Sequence, residues 1–250
     1  MEKEGTEFGK RVSHPFRRLQ SDLAQLIASS QPGEKLPAEP DLARQLRVSR
    51  ATLREAMRSF EGQGIIRRRQ GVGTFVVGRS PVIETGLEVL ESIENLARRN
   101  GLEVSMGDLH ISLVQADVDE AGALGIPLQS DLVQVRRVIL AGNRPVAFLV
   151  DTLPGDILTP QDLSQGFTGS VLDLLLGRGT PKLGRSIAEV RSVAASAEIA
   201  RSLEIQRGDV LLEFIACLYT IEGRVIDYSL SFFLPGVFRF QVVRRVGNPG

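Results

Sequence analysis

The chain has 250 residues, 42% hydrophobic and 24% charged, with a formal net charge of zero, the make-up of an ordinary globular protein long enough for two domains. No apolar run approaches the roughly 18 residues of a membrane span, the start of the chain lacks the apolar stretch of a secretory signal, and the single cysteine, Cys217, excludes an internal disulfide framework. A cytoplasmic protein without a membrane partner is expected, and its charge is uneven: residues 1–79 carry 15 Lys and Arg against 9 Asp and Glu, residues 80–250 carry 15 against 21, so a polyanion is expected to meet the first part alone.

Residues 1–12 read as a tail. From His14, the spacing of Phe16, Leu19, Leu23, Leu26 and Ile27 predicts a helix that Pro32-Gly33 ends. A second, short helix opens at Leu36-Pro37-Ala38-Glu39-Pro40 and runs to about Leu46, with Leu42, Ala43 and Leu46 inward. Ser49 suits the N-cap of a third helix, Arg50 to Glu61, its hydroxyl accepting from exposed backbone N–H groups. There Leu53, Ala56, Met57 and Phe60 face a core, while Ala51, Arg54, Glu55 and Arg58 fall on the outward side. Gly62 and Gly64 close the helix. Ile65–Arg69 and Thr74–Val77 are strand-like around Gln70-Gly71-Val72-Gly73, whose glycines suit a hairpin turn. Three helices and a basic β-ribbon make a winged helix-turn-helix, with the third helix in the place of a recognition helix.

Gly78-Arg79-Ser80-Pro81 marks a boundary. A helical pattern runs from Leu87 to Asn100, and strands dominate beyond it: His110–Val114, Leu132–Ala141, Pro145–Leu153, Ile187–Val193, Val210–Thr220, Val225–Phe233 and Phe238–Val243. Short helices are predicted at Asp117–Leu124, Ser170–Leu176 and Ala195–Leu203. Two stretches match at a spacing of 78 to 81 residues: Leu124-Gly125-Ile126, Asp131, Gly142-Asn143-Arg144 and Leu153-Pro154 against Leu203-Glu204-Ile205, Asp209, Glu222-Gly223-Arg224 and Leu234-Pro235. A repeated unit of strand, short helix and hairpin most simply builds one antiparallel sheet with helices on one face, an α+β fold. The cleft between the related halves is then a natural small-molecule site.

The first part strongly resembles the GntR family of bacterial transcription regulators, through Leu36-Pro37, Glu39, Leu42-Ala43, Val48-Ser49-Arg50, Thr52, Arg54, Ala56, Gly64-Ile65, Arg68, Gln70-Gly71, Gly73-Thr74 and Val77. Pro40 departs from a position that is usually polar. The second part resembles the UTRA effector-binding domain of the HutC subfamily, whose fold is similar to chorismate lyase, through Arg137, Pro145, Leu153-Pro154, Ser170, Leu203, Gly208, Gly223, Ser231 and Phe240. Thr52-Leu53-Arg54-Glu55-Ala56 also reads like the FadR branch, but its effector domains are all-helical with metal-binding histidines, whereas this part is strand-rich and holds only His110. The expected organisation is a DNA-binding domain over residues 12–77, a linker over 78–86 and an effector-binding and dimerisation domain over 87–246.

The resemblance implies a ligand-responsive, homodimeric regulator of a palindromic operator in double-stranded DNA, acting as a repressor. Arg50 and Arg54 are implied as base or phosphate contacts and Thr52 as a phosphate contact, with Ser49 and Arg58 on the same helix and Gly71 and Arg69 in the wing. Strand alternation turns some of Arg67, Arg68 and Arg69 away from DNA. Glu39 either accepts from arginines or complements a helix end, and Glu55 either reads cytosine or holds Arg58. For the effector, the resemblance implies Arg137, Ser170, Tyr228 and Ser231. Relatives that respond to sugar phosphates carry polar groups where this chain has Ile139, Leu149 and Leu234-Pro235-Gly236-Val237, so a less polar ligand with one acidic group is expected. No cofactor or metal is implied. An enzyme built on the lyase-like domain is the competing class, but no nucleophile–histidine pair or phosphate loop accompanies it; a DNA-binding protein without a ligand is a third.

Overall fold

The computed structural model describes residues 15–62, 65–69, 71–77, 83–164 and 167–242. The expected tail, His14, Gly64, Gln70, Gly78-Arg79-Ser80-Pro81 and Val243 lie outside them. The chain forms two compact units, Met1–Ser80 and Pro81–Gly250.

In the first unit, α1 (Pro15–Ser29), α2 (Glu39–Gln45) and α3 (Arg50–Gly62) are followed by β1 (Ile66–Arg69) and β2 (Gly73–Val76). The apolar periodicity becomes the core: Leu19, Leu23 and Ile27 of α1 meet Leu42 and Ala43 of α2 and Leu53, Ala56, Met57 and Phe60 of α3. The α2–α3 turn is tight. Arg47 takes φ 55°, the Val48 N–H reaches back to the Ala43 carbonyl at 3.0 Å, and Ser49 Oγ accepts from the Thr52 N–H at 3.0 Å. β1 and β2 pair antiparallel from Ile66 opposite Val76 to Arg69 opposite Gly73. The segment before α2 adds a third row, since the Leu36 N–H bonds the Thr74 carbonyl at 2.8 Å. A Cβ on Gly73, which sits at φ +135°, would stand 2.4 Å from Lys35 Cε, so a side chain there meets both a strained backbone and Lys35.

In the second unit, a six-stranded antiparallel sheet has the order β4-β5-β6-β9-β8-β7. It comprises β4 (Val104–Gln115), β5 (Asp131–Ala141), β6 (Arg144–Pro154), β7 (Leu183–Ala194), β8 (Val210–Thr220) and β9 (Val225–Phe233). The order is that of two copies of one unit, β4-β5-β6 and β7-β8-β9, meeting back to back at β6 and β9. Each copy's helix, α5 (Val118–Leu124) or α8 (Ala197–Ser202), follows its first strand. These helices pack against β9 and β6 respectively, the innermost strand of the other copy, which locks the halves together.

Strand alternation sorts the rest. Leu132 packs with Ala121 and Leu124 of α5, whereas its neighbours Val133 and Val135 pack with Val171 and Leu175 of α7 (Val171–Arg178). Helices therefore cover both faces, not one: α5 and α8 take one face, while α4 (Ile93–Arg99), α6 (Pro160–Ser164) and α7 take the other. The helix expected over Leu87–Asn100 is also shorter. Ile83–Gly86, part of the expected linker, is strand β3 and pairs parallel with β10 (Phe238–Gln241). The Leu87 N–H extends that ladder to the Gln241 carbonyl at 2.9 Å. Leu87, Val89 and Leu90 stay exposed, and Ser92 caps the helix at Asn95. β10 is held to the sheet by aromatic packing, Phe238 and Phe240 lying 4.8 and 5.0 Å from Phe233 of β9, ring centre to ring centre.

Candidate nucleic-acid interface and effector site

The exposed side of α3 carries Arg50, Thr52, Arg54, Glu55 and Arg58. Leu53, Ala56 and Met57 anchor its other side. Glu39, at the first turn of α2, organises this surface. Its Oε2 accepts from Arg54 Nε at 2.7 Å, and its Oε1 pairs with an Arg68 terminal nitrogen, also at 2.7 Å. Of the two roles open to Glu39, the structure gives it the arginines: it ties α2, α3 and the wing together. The Arg54 side chain remains half exposed, and only one of its five N–H donors is held by that bond. Glu55 pairs with Arg58 at 3.4 Å. Arg68 is the wing arginine drawn to the helices. Arg69 lies over the Phe75 ring, 5.5 Å from its centre, while Arg67 is partly buried, which lowers its pKa, helped by Arg69. Gly71 forms the exposed turn at φ +74° with open space around it.

In the second unit, Arg137 is buried at 5% exposure on β5 and forms an ion pair with Asp151 of β6. Asp227 of β9 is fully buried and hydrogen-bonds Asp151; burial, then the Asp151 charge, push its pKa well above the carboxylate range. Glu94 of α4 faces Arg137, Asp151 and Asp173, and burial raises its pKa too. Asp173 of α7 accepts from Ser92 Oγ at 2.7 Å and Asn95 Nδ2 at 3.1 Å, stapling α4 to α7. Ser170 caps α7, accepting the Asp173 N–H at 3.0 Å. Among the described residues, Glu94 Oε1, Arg137 Nε and Asp227 Oδ1 are buried with no hydrogen-bond partner, a costly arrangement unless something else satisfies them.

Arg137, Ser170 and Ser231 lie on the covered face that α4 and α7 share: Arg137 stands opposite Leu149, and Leu149 opposite Ser231. Tyr228, which the resemblance groups with them, does not join them. It stands opposite Thr152 and Cys217, one residue out of phase with Ser229 and Ser231, and packs beside α5 on the other face. Asp151 pairs with one terminal nitrogen of Arg137 and leaves its Nε without a partner among the described residues. Sequence reasoning missed Glu94, Asp151, Asp173 and Asp227. A readable signal existed for two of them: Asp151 and Asp227 interrupt otherwise apolar strands, in Phe148-Leu149-Val150-Asp151 and Val225-Ile226-Asp227, and a buried charge requires a partner.

The family profile described as "UTRA domain" matches residues 99–239, more than half of the chain, and that of "Bacterial regulatory proteins, gntR family" matches residues 16–76. The chain belongs to the GntR family, in its UTRA-bearing form. Two relatives span most of it. The HTH-type transcriptional repressor NagR of Bacillus subtilis is 27% identical over 80% of this chain and 82% of its own. The mannosyl-D-glycerate transport/metabolism system repressor MngR of Escherichia coli is 26% identical over 91% and 95%. The crystal structure of PhnF from Mycobacterium smegmatis shares the fold, with a TM-score of 0.62 at 22% identity over 92% of this chain and 100% of that one. This GntR chain is a ligand-responsive, DNA-binding transcription regulator. Among its described residues no helix is long and apolar enough to cross a membrane.

Two substitutions probe the sites. Glu39→Gln releases Arg54 and Arg68 from a carboxylate. Fluorescence anisotropy is expected to find tighter binding to random duplex, a salt dependence steeper by about one unit of log–log slope, and about tenfold less preference for the operator, the smaller part of a direct base contact's worth. Asp227→Asn keeps the bond to Asp151 and removes a buried acid. Because the folded pKa of Asp227 is raised, the native state holds a proton the unfolded chain releases, and stability falls as pH rises from the carboxylate range through that raised value. The variant is expected to be more stable at pH 8 by about 1–3 kcal/mol, the scale of a buried group's desolvation. At pH 4–5 the two should converge. Thermal unfolding across pH checks this, and parallel curves would contradict it.

Proposed function

We propose that the chain is a homodimeric, cytoplasmic repressor whose two α3 helices enter the major groove at the half-sites of a palindromic operator. Arg50 and Arg54 contact base edges or phosphates, Ser49, Thr52 and Arg58 lie along the backbone, and the wing, with Arg69 and Gly71, follows the minor groove or phosphates. The observation that carries this reading is the Glu39 clamp, which presents Arg54 on the free side of α3 and joins it to the wing. The UTRA unit acts as a sensor rather than an enzyme, in keeping with the regulators it resembles.

The ligand sits on the face shared by Arg137, Ser170 and Ser231. Glu94 Oε1 accepts and Arg137 Nε donates, so hydroxyl groups, which do both, suit the site. A phosphate dianion would meet the Glu94, Asp151 and Asp227 carboxyls, which supports a ligand less charged than a sugar phosphate and replaces the single acid expected from sequence. Binding there biases the two DNA heads through β3, which lies in the expected linker and pairs with β10. Selection of duplexes from a random pool, followed by footprinting, tests the operator claim. An inverted repeat bound by two chains is expected, and a single asymmetric site bound by one chain would overturn it.

A further inference from the structure

The two outer strands of the sheet are related by the internal repeat but end the sheet differently. β4 is blunted: its ladder shifts register between Met106 and Leu109, with Asp108 exposed in the gap, and Met106 and Ile111 are partly buried. β7 carries its own register shift only at its start, between Leu183 and Arg185. Its pairing to β8 runs unbroken from Arg185 to Ala194, and from Gly184 to Ser192 every residue but Ser186 is exposed. Ile187 and Val190, on opposite faces, are 55% and 45% exposed. The stretch Arg185–Ala194 contains no proline. An edge this long and regular, with Ile187 and Val190 exposed on it, is a template for another strand, and proteins that keep one usually cover it.

We propose that β7 pairs antiparallel with β7 of a second copy of this chain about a two-fold axis at Val190, joining the two sheets into one of twelve strands. This rests on the homodimer read above and names its interface. The argument is self-complementarity. A two-fold axis brings a strand against itself antiparallel, and with Val190 opposite Val190 the pairs become Glu189 with Arg191, Ala188 with Ser192, Ile187 with Val193 and Ser186 with Ala194. Opposite charges meet twice, and apolar side chains meet three times. Shifting the axis to Ala188 sets Arg185 against Arg191, and shifting it to Glu189 sets two carboxylates together, both destabilising. An axis at Ile187 also matches charges, but it carries the pairing into the register shift between Leu183 and Arg185.

Opposed residues of an antiparallel pair have Cα atoms about 4.5–5.5 Å apart, inside the range a disulfide spans. In the full chain, Val190→Cys is therefore expected to form a covalent dimer under mild oxidation. Wild type, whose only thiol is Cys217, and Leu113→Cys on β4 are expected not to. Val190→Asp sets two carboxylates on the axis and is expected to weaken dimerisation at least about tenfold in sedimentation equilibrium, with an unchanged far-ultraviolet spectrum. A wild-type dimer that Val190→Asp leaves intact and Val190→Cys does not cross-link would overturn the β7 interface while leaving the dimer standing. Cross-linking through Leu113→Cys alone would assign the other edge. A wild-type chain that is monomeric at every concentration would overturn the dimer itself.

Discussion

Arg54→Ala is expected to lower operator affinity by about five- to 150-fold, the range for loss of one bidentate arginine–guanine contact, while affinity for random duplex changes little. The side chain is half exposed on the free side of α3, held at Nε by Glu39, and it supports none of the core, which Leu53, Ala56, Met57 and Phe60 form. Alanine is also the best helix former, so the unfolding temperature should hardly move. Arg54→Lys separates two modes of contact, because lysine keeps the charge and loses the planar fork. A base contact loses most of its discrimination in both variants, whereas a phosphate contact survives in the lysine variant. Operator affinity unchanged in Arg54→Ala would contradict the assignment.

Arg137→Met is expected to destabilise the UTRA unit by about 3–5 kcal/mol, the cost of removing one partner from a buried ion pair. That corresponds to about 6–20 °C in unfolding temperature for a unit of this size. Arg137 is the cation facing the Asp151, Asp227 and Glu94 carboxyls, and without it Asp151 is left charged and buried beside an acid. The pair is not the most stable filling for that space. Arg137→Met combined with Asp151→Leu is expected to recover a large share of the loss, since well-packed apolar pairs often equal or exceed buried ion pairs. Calorimetry on the two variants decides this. A single variant as stable as wild type would mean that Arg137 is not needed to balance the cluster.

The DNA-reading unit was legible because its determinants are local. The apolar spacing within α3, the Ser49 cap three residues before Thr52, and the glycines of the wing all act within a few residues of one another. The repeat in the second unit was legible because each copy carries its own short-range pattern, and it led to the antiparallel sheet. Its failures are long-range. Leu87 and Leu90 carry a helical spacing, yet the Leu87 N–H is used by Gln241, 154 residues away. The face of Tyr228 depends on register, and the β8–β9 ladder shifts at Leu218/Tyr219, next to it. The effector site joins Ser92 to Asp173 across 81 residues and Arg137 to Asp151 across 14. Sequence could mark Arg137 and Ser170, but only the fold reveals that each is already engaged.

The central claim is that one chain couples a ligand on the Arg137 face to the arginines of α3. Its most direct test is operator affinity, measured by fluorescence anisotropy on the selected duplex, with and without compounds that raise the unfolding temperature of the full chain. The screen should include polyols, hydroxy acids and sugar phosphates. At least one hydroxyl-bearing compound is expected to shift operator affinity by about 5- to 150-fold, the usual span of an allosteric coupling, while leaving random-duplex affinity nearly constant. Compounds that stabilise the chain and leave operator affinity unchanged would contradict the account.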